Sequence, residues 1–261
     1  MAAPTTTKQN SAQRPLRPRR NELPFPLNLY QTSVGKKWVM AVTGIMLLGF
    51  VIFHMLGNLK LYIGVVDEGG VLDYDANIYG EWLRELLVPF FPRTVTLWLL
   101  RIGLIGAFGL HIHAMYSLTL INRQANKVYT SKRDWVAANF ASRSMRYSGV
   151  IVLAYLIFHL ADLTWGIIPG YDYERGAVHE NVVGSLSNPV VALVYIVANI
   201  LLAIHIFHGA FSMFQSLGIN NPAYNRLRRY LASGLALVIL IGNVSFPIAV
   251  LTGIIDLDPR I

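Results

Sequence analysis

The chain has 261 residues, 54% of them hydrophobic and only 14% charged, with a formal net charge of +8; soluble domains carry roughly 25% charged residues. That deficit excludes a disordered or fibrous chain and argues against a soluble enzyme. Cysteine is absent, which excludes disulfides, thiolate nucleophiles and iron–sulfur clusters held by the chain's own sulfurs.

In chain order, residues 1–30 read as a flexible, basic arm rich in Thr, Pro and Arg. The first apolar run comes too late, and is too long, for a cleavable signal. Five apolar stretches then reach the roughly 20 residues that a bilayer crossing needs. They are placed near 38–63, 94–121, 148–168, 189–216 and 230–254. The expected fold is therefore an all-α membrane protein, a five-helix transmembrane bundle over 31–261. The second and fourth spans are long enough to tilt or project. Within the loop 64–93, the stretch EWLRELL at 81–87 has the spacing of a short interfacial helix. The fifth span is apolar and carries no histidine. No long internal repeat is evident.

Charge orients the bundle. Lys8, Arg14, Arg17, Arg19, Arg20, Lys36 and Lys37 precede span one. Arg123, Lys127, Lys132, Arg133, Arg143 and Arg146 follow span two, and Arg226, Arg228 and Arg229 follow span four. With five spans these all fall on one side. Asp67, Glu68, Asp73, Asp75, Glu81, Glu85, Asp172, Glu174 and Glu180 fall on the other. Basic loops stay cytoplasmic, so the N-terminus is expected inside and the C-terminus outside. The positive charge then serves orientation and anionic lipid; no motif or soluble basic domain points to nucleic acid.

Six of the seven histidines fall inside spans: His54, His111, His113, His159, His205 and His208. Ionisable groups at membrane depth are costly and usually functional. At about 1.5 Å of rise per residue, His111 and His205 share a depth in the cytoplasmic half. His54 and His159 share another, central to outer. Two layers, each fed by two helices, are what two bis-imidazole haems require, and filled axial positions suit electron transfer. Glycines at 103, 106 and 109, and Gly57 after His54, would let a flat ring approach the backbone; helix packing through small residues explains them equally well. His113 and His208 share a depth and are additional candidate ligands, or contacts to a haem propionate or quinone. His179, in an outer loop, is expected to be solvated.

Two further groups follow from chemistry. Quinone reduction needs donors near the inner surface, and Ser33, Lys36, Arg143, Arg146, Tyr147 and Gln215 are the candidates. Arg101 and Asp162 are the charges inside spans. A mutual ion pair is the simplest expectation, with a propionate contact for Arg101, or a proton relay at Asp162, as alternatives.

Several of these stretches carry a family resemblance. SVGKKWVMAVTG at 33–44 runs into FHMLGNL at 53–59. LHI at 110–112 is followed by Arg123 and Gln124, FHL stands at 158–160, and HIFHGAFSMFQSLG spans 205–218. Together they resemble the cytochrome b membrane-anchor subunit of bacterial succinate dehydrogenase and fumarate reductase, the single-chain five-helix type. The resemblance covers roughly residues 30–255. It implies axial ligation of two b-type haems by His54, His111, His159 and His205, with His54 and His159 at the outer haem and His111 and His205 at the inner. It also implies menaquinone as acceptor, and a flavoprotein and an iron–sulfur protein as cytoplasmic partners in a bacterial cell membrane. The succinate-oxidising site would lie on the flavoprotein. The alternatives are a non-haem iron or Rieske-type cluster with outside thiolates, a cytochrome b of another respiratory oxidoreductase, and a histidine-lined transporter.

Overall fold

The structure, a computed structural model, describes residues 24–25, 27–125, 135–219 and 221–258, with side chains omitted for 124–125 and 135–143. The arm before residue 24 lies outside the described residues. The fold is helical, and five helices are long and apolar enough to cross a membrane. A four-residue helix, α1 (Leu27–Tyr30), leads into α2 (Ser33–Asn58). Thr32 caps α2, its hydroxyl accepting from Gly35 N at 2.9 Å, which satisfies one of the orphan donors of the first turn. The other long helices are α4 (Val95–Ala125), α5 (Trp135–Leu163), α7 (Pro189–Ser216) and α8 (Asn225–Leu251). Asn188 caps α7, with Pro189 pre-set for the first turn.

The spans match expectation at α7 and shift elsewhere. α2 starts at Ser33 rather than 38, because the Thr32 cap sets its first turn. α5 starts at Trp135 rather than 148. The stretch WVAANFASR at 135–143 is thus already helical, ahead of the apolar run placed from 148. α8 covers 225–251 rather than 230–254; the 3-10 turn Pro222–Tyr224 leads into it.

The segments at the acidic end form a cap. A hairpin, β1 (Val65–Glu68) and β2 (Val71–Tyr74), pairs Val65 with Tyr74 and Glu68 with Val71. It turns through Gly69 and Gly70, both at positive φ, where a side chain would be strained. It hands the chain to α3 (Asp75–Arg84). The interfacial helix expected at 81–87 thus lies earlier. It begins at Asp75, which Lys60 Nζ meets at 2.9 Å, and ends before Pro89, whose ring disfavours helix in the residue before it. α6 (Val178–Leu186) completes the cap against α3.

His179 corrects an expectation. It is 1% exposed, not solvated. Its ring stacks on Tyr74 at 3.8 Å and 4°, and Nε2 donates to the Asp256 carbonyl at 2.9 Å. The hairpin, α6 and the C-terminal segment meet at this ring, which loop position alone could not reveal.

Inside the bundle, α4 packs on α2 and α5 on α7, while α2 meets α7 and α8 lies along α7. The closed apolar core sits on the α8 side and beneath the cap. Met55, Leu61, Val183, Leu186, Tyr195, Phe246 and Val250 form one cluster, and Ala203, Ile206, Ala236 and Ile239 the other. The outer faces of the helices stay apolar, as with Phe50, Ile105, Ile157 and Val190, the pattern of helices surrounded by lipid.

Candidate histidine centre

The two helix pairs, α2 with α4 and α5 with α7, carry the four histidines. His54 on α2 and His159 on α5 face each other, ring centroids 5.9 Å apart and planes at 80°. Two metal–imidazole bonds of about 2 Å each set opposed ring centroids roughly 6 Å apart. The separation therefore suits one six-coordinate metal between the rings. Phe50 stacks on His54 at 5.4 Å, and Tyr155 and Tyr195 flank His159 at 5.8 Å each.

His111 on α4 and His205 on α7 lie close enough for mutual electrostatic interaction. His54 is exposed, and His111, His159 and His205 are half-buried. Among the described residues, histidines and carboxylates do not converge in groups of three or more that could hold a bare metal ion; the arrangement is by opposed pairs.

Each of three rings is held at Nδ1. His111 Nδ1 lies 3.1 Å from the Met40 carbonyl and 3.2 Å from Thr43 Oγ1. A carbonyl only accepts, so Nδ1 carries the proton and Nε2 keeps its lone pair for a metal. His205 Nδ1 lies 3.4 Å from Ser148 Oγ, and the Met145 carbonyl lies beside the same ring. His159 Nδ1 lies 3.3 Å from Tyr195 Oη, which donates to Asp162 Oδ2 at 2.8 Å. Such outer contacts fix the tautomer and orientation of ligating histidines.

Asp162 and Arg101 are not an ion pair. Asp162 is fully buried and accepts from Tyr195 and, at 2.6 Å, from Ser185 Oγ; its Oδ1 has no hydrogen-bond partner among the described residues. Tyr171 Oη donates to the Asp162 backbone carbonyl at 2.8 Å. Burial, then the nearby Asp162 carboxylate, pushes the Tyr171 hydroxyl well above the usual phenol range. Arg101 instead lies over the Trp98 ring at 5.1 Å and is exposed. It belongs with Arg84, Arg93 and Arg175, whose like charges add to burial in pulling the Arg84 guanidinium below its ordinary pKa. Hydroxyl neighbours on α6 and α7 replace the expected arginine, a choice that sequence spacing could not make.

The additional histidines also have partners. His113 is exposed, its Nδ1 2.5 Å from Tyr30 Oη, and His208 Nε2 lies 3.4 Å from Ser144 Oγ. Of the quinone candidates, Lys36 alone is buried, its ammonium 5.9 Å from the centre of the Tyr30 ring. Ser33, Tyr147 and Gln215 are exposed and Arg146 is half-buried; the Arg143 side chain lies outside the described residues.

Gly57 does not cradle a cofactor. A Cβ there would lie 2.7 Å from Tyr79 Cε1, so it seats a ring from α3. At Gly103, Gly106 and Gly109 an added Cβ meets nothing within 4 Å, so no described helix packs on them. The glycines that approach histidines are Gly44, 3.4 Å from His111 Cε1, and Gly149, 3.3 Å from His205 Cε1. An apolar groove of about 430 Å³ beside Tyr62, Leu240 and Ile248 lies away from these rings.

No protein-family model, no curated protein and no solved structure matches the chain.

Proposed function

We propose that the chain is the membrane anchor of a succinate:quinone oxidoreductase in a bacterial cell membrane. The observation that carries this reading is the opposed pair His54 and His159 at 5.9 Å, on separate helices of a five-span bundle. The layer of His111 and His205 supports it, as does the order of sequence motifs resembling the family. The basic end is cytoplasmic, with the N-terminus inside and the C-terminus outside, by the charge of the loops.

In this reading His54 and His159 hold an outer b-type haem, and His111 and His205 an inner one. Bound there, haem supplies one-electron carriage between a cytoplasmic donor and quinone. The chain's own residues do the rest. Nδ1 contacts to Met40, Ser148 and Tyr195 leave Nε2 of three histidines free for a metal. Phe50 stacks on the His54 ring and Tyr155 packs against that of His159. The basic end docks an iron–sulfur subunit and a flavoprotein; with no cysteine of its own, the anchor depends on that partner for clusters. Near this end, buried Lys36 beside Tyr30 is the strongest donor to a menaquinone carbonyl.

A dithionite-reduced minus oxidised spectrum of the purified complex, with pyridine haemochrome quantification, tests the reading. Two b haems per chain are expected, and His54→Ala and His111→Ala should each remove one. No haem alongside intact succinate-dependent quinone reduction would leave the anchor and sink the two-haem route. Haem without any such activity would point to another respiratory oxidoreductase.

A further inference from the structure

Resting on that reading, the contacts of the inner pair point to an element the two helix pairs share. Met40-Ala-Val-Thr43-Gly44 lies on α2 and Met145-Arg-Tyr-Ser148-Gly149 on α5. The pattern Met-x-x-Ser/Thr-Gly occurs at these two places in the chain and nowhere else. We infer that the two pentads are copies of one histidine-seating device, which fixes His111 and His205 with Nε2 of each turned to a common centre, and that Thr43 and Ser148 are its positioning residues.

The parts correspond one by one. In the first copy the Met40 carbonyl takes Nδ1 of His111 at 3.1 Å, and in the second the Met145 carbonyl lies beside the His205 ring. The hydroxyl three residues on approaches Nδ1 of each histidine, Thr43 at 3.2 Å and Ser148 at 3.4 Å. In each copy the hydroxyl proton is already used inside its own helix. Thr43 donates to Val39 O at 2.7 Å, and Ser148 to Met145 O at 3.1 Å. The oxygen is thus left to accept from Nδ1–H, which at His111 it shares with the Met40 carbonyl. The glycine then admits the ring edge. A Cβ would meet Cε1 at 3.4 Å and Nδ1 at 3.7 Å at Gly44, and at 3.3 Å and 3.6 Å at Gly149. A side chain at Gly149 must push the His205 ring away by a few tenths of an ångström, while one at Gly44 comes into contact with the His111 ring.

The two copies sit on spans one and three and receive histidines from spans two and four, so both helix pairs run in the same sense. Two such devices present two imidazoles of the same tautomer, near enough to interact electrostatically. The outer pair is built differently: His159 bonds a side chain, Tyr195, and not a backbone carbonyl.

The test uses the purified whole complex and reads the centre that His111→Ala abolishes. Its midpoint potential and low-spin electron paramagnetic resonance signal are measured in Thr43→Val, Ser148→Ala and the double variant. Losing an acceptor at Nδ1 makes the imidazole a weaker donor to the metal, so the potential of that centre should rise in both single variants. The double variant should shift it by about the sum, while the centre of His54 and His159 stays put. Thr43→Ser and Ser148→Thr should restore the wild-type potential, which a packing role would not predict. Gly149→Ala, whose Cβ crowds the His205 ring at 3.3 Å, should weaken the same signal. Unmoved potentials in both single variants, or shifts in different centres, overturn the shared device while leaving the anchor intact. A wild-type complex without any bis-imidazole signal overturns both readings.

Discussion

Asp162 is a fully buried acid without a countercharge among the described residues, so the hydroxyls around it should carry a measurable energy. Tyr195 donates to its Oδ2 at 2.8 Å and Ser185 at 2.6 Å, while Oδ1 has no partner among those residues. With Asp162 as a carboxylate, each bond is charge-assisted and contributes about 1.5–3 kcal/mol. Tyr195→Phe keeps the ring packing against Tyr155 and Phe158 and removes one such bond. It should therefore cost about 2 kcal/mol. Asp162→Asn keeps an acceptor at the same place but makes both bonds neutral, about 0.5–1.5 kcal/mol each. In that background Tyr195→Phe should cost only about 1 kcal/mol. The difference, a coupling of about 1 kcal/mol, is read from a double-mutant cycle by equilibrium unfolding of the purified complex in mixed micelles. A coupling below about 0.3 kcal/mol would refute a charged Asp162 held by Tyr195.

Three other outcomes follow from the same contacts. Gly57→Ala must displace Tyr79, whose Cε1 lies 2.7 Å from the added Cβ, and should destabilise by about 1–3 kcal/mol. Gly49→Ala meets nothing within 4 Å and should be neutral or stabilising by about 0.5–1 kcal/mol in the same unfolding assay. His179→Ala removes the ring between Tyr74 and the Asp256 carbonyl; residues 256–258 should become the first site of limited proteolysis, with no loss of haem. For Tyr171 the raised folded value fixes the sign: its stability contribution is complete below the ordinary phenol value of about 10 and is lost as pH rises through the higher folded value. The melting temperature should therefore fall above about pH 10, and less steeply in Tyr171→Phe, which costs about 1 kcal/mol at neutral pH through its bond to the Asp162 carbonyl.

The number, order and approximate limits of the five long helices were legible because lipid imposes a simple code: a long apolar run, with charge kept to the loops. The same code made six intramembrane histidines conspicuous, and regular helix rise sorted four of them by depth. Depth along a helix says nothing about rotation around it or about which neighbour lies across the gap. Tertiary structure decided those matters. It seated His111 on Thr43 and His205 on Ser148, gave Asp162 to Tyr195 and Ser185 rather than to Arg101, filled the face of Gly57 with Tyr79, and buried His179 beneath Tyr74. Each of these contacts joins residues remote in sequence through short polar side chains whose composition resembles ordinary helix filler. Hydropathy measures the cost of placing a residue in lipid; the partner that offsets that cost is set by helix packing, which a linear pattern does not contain.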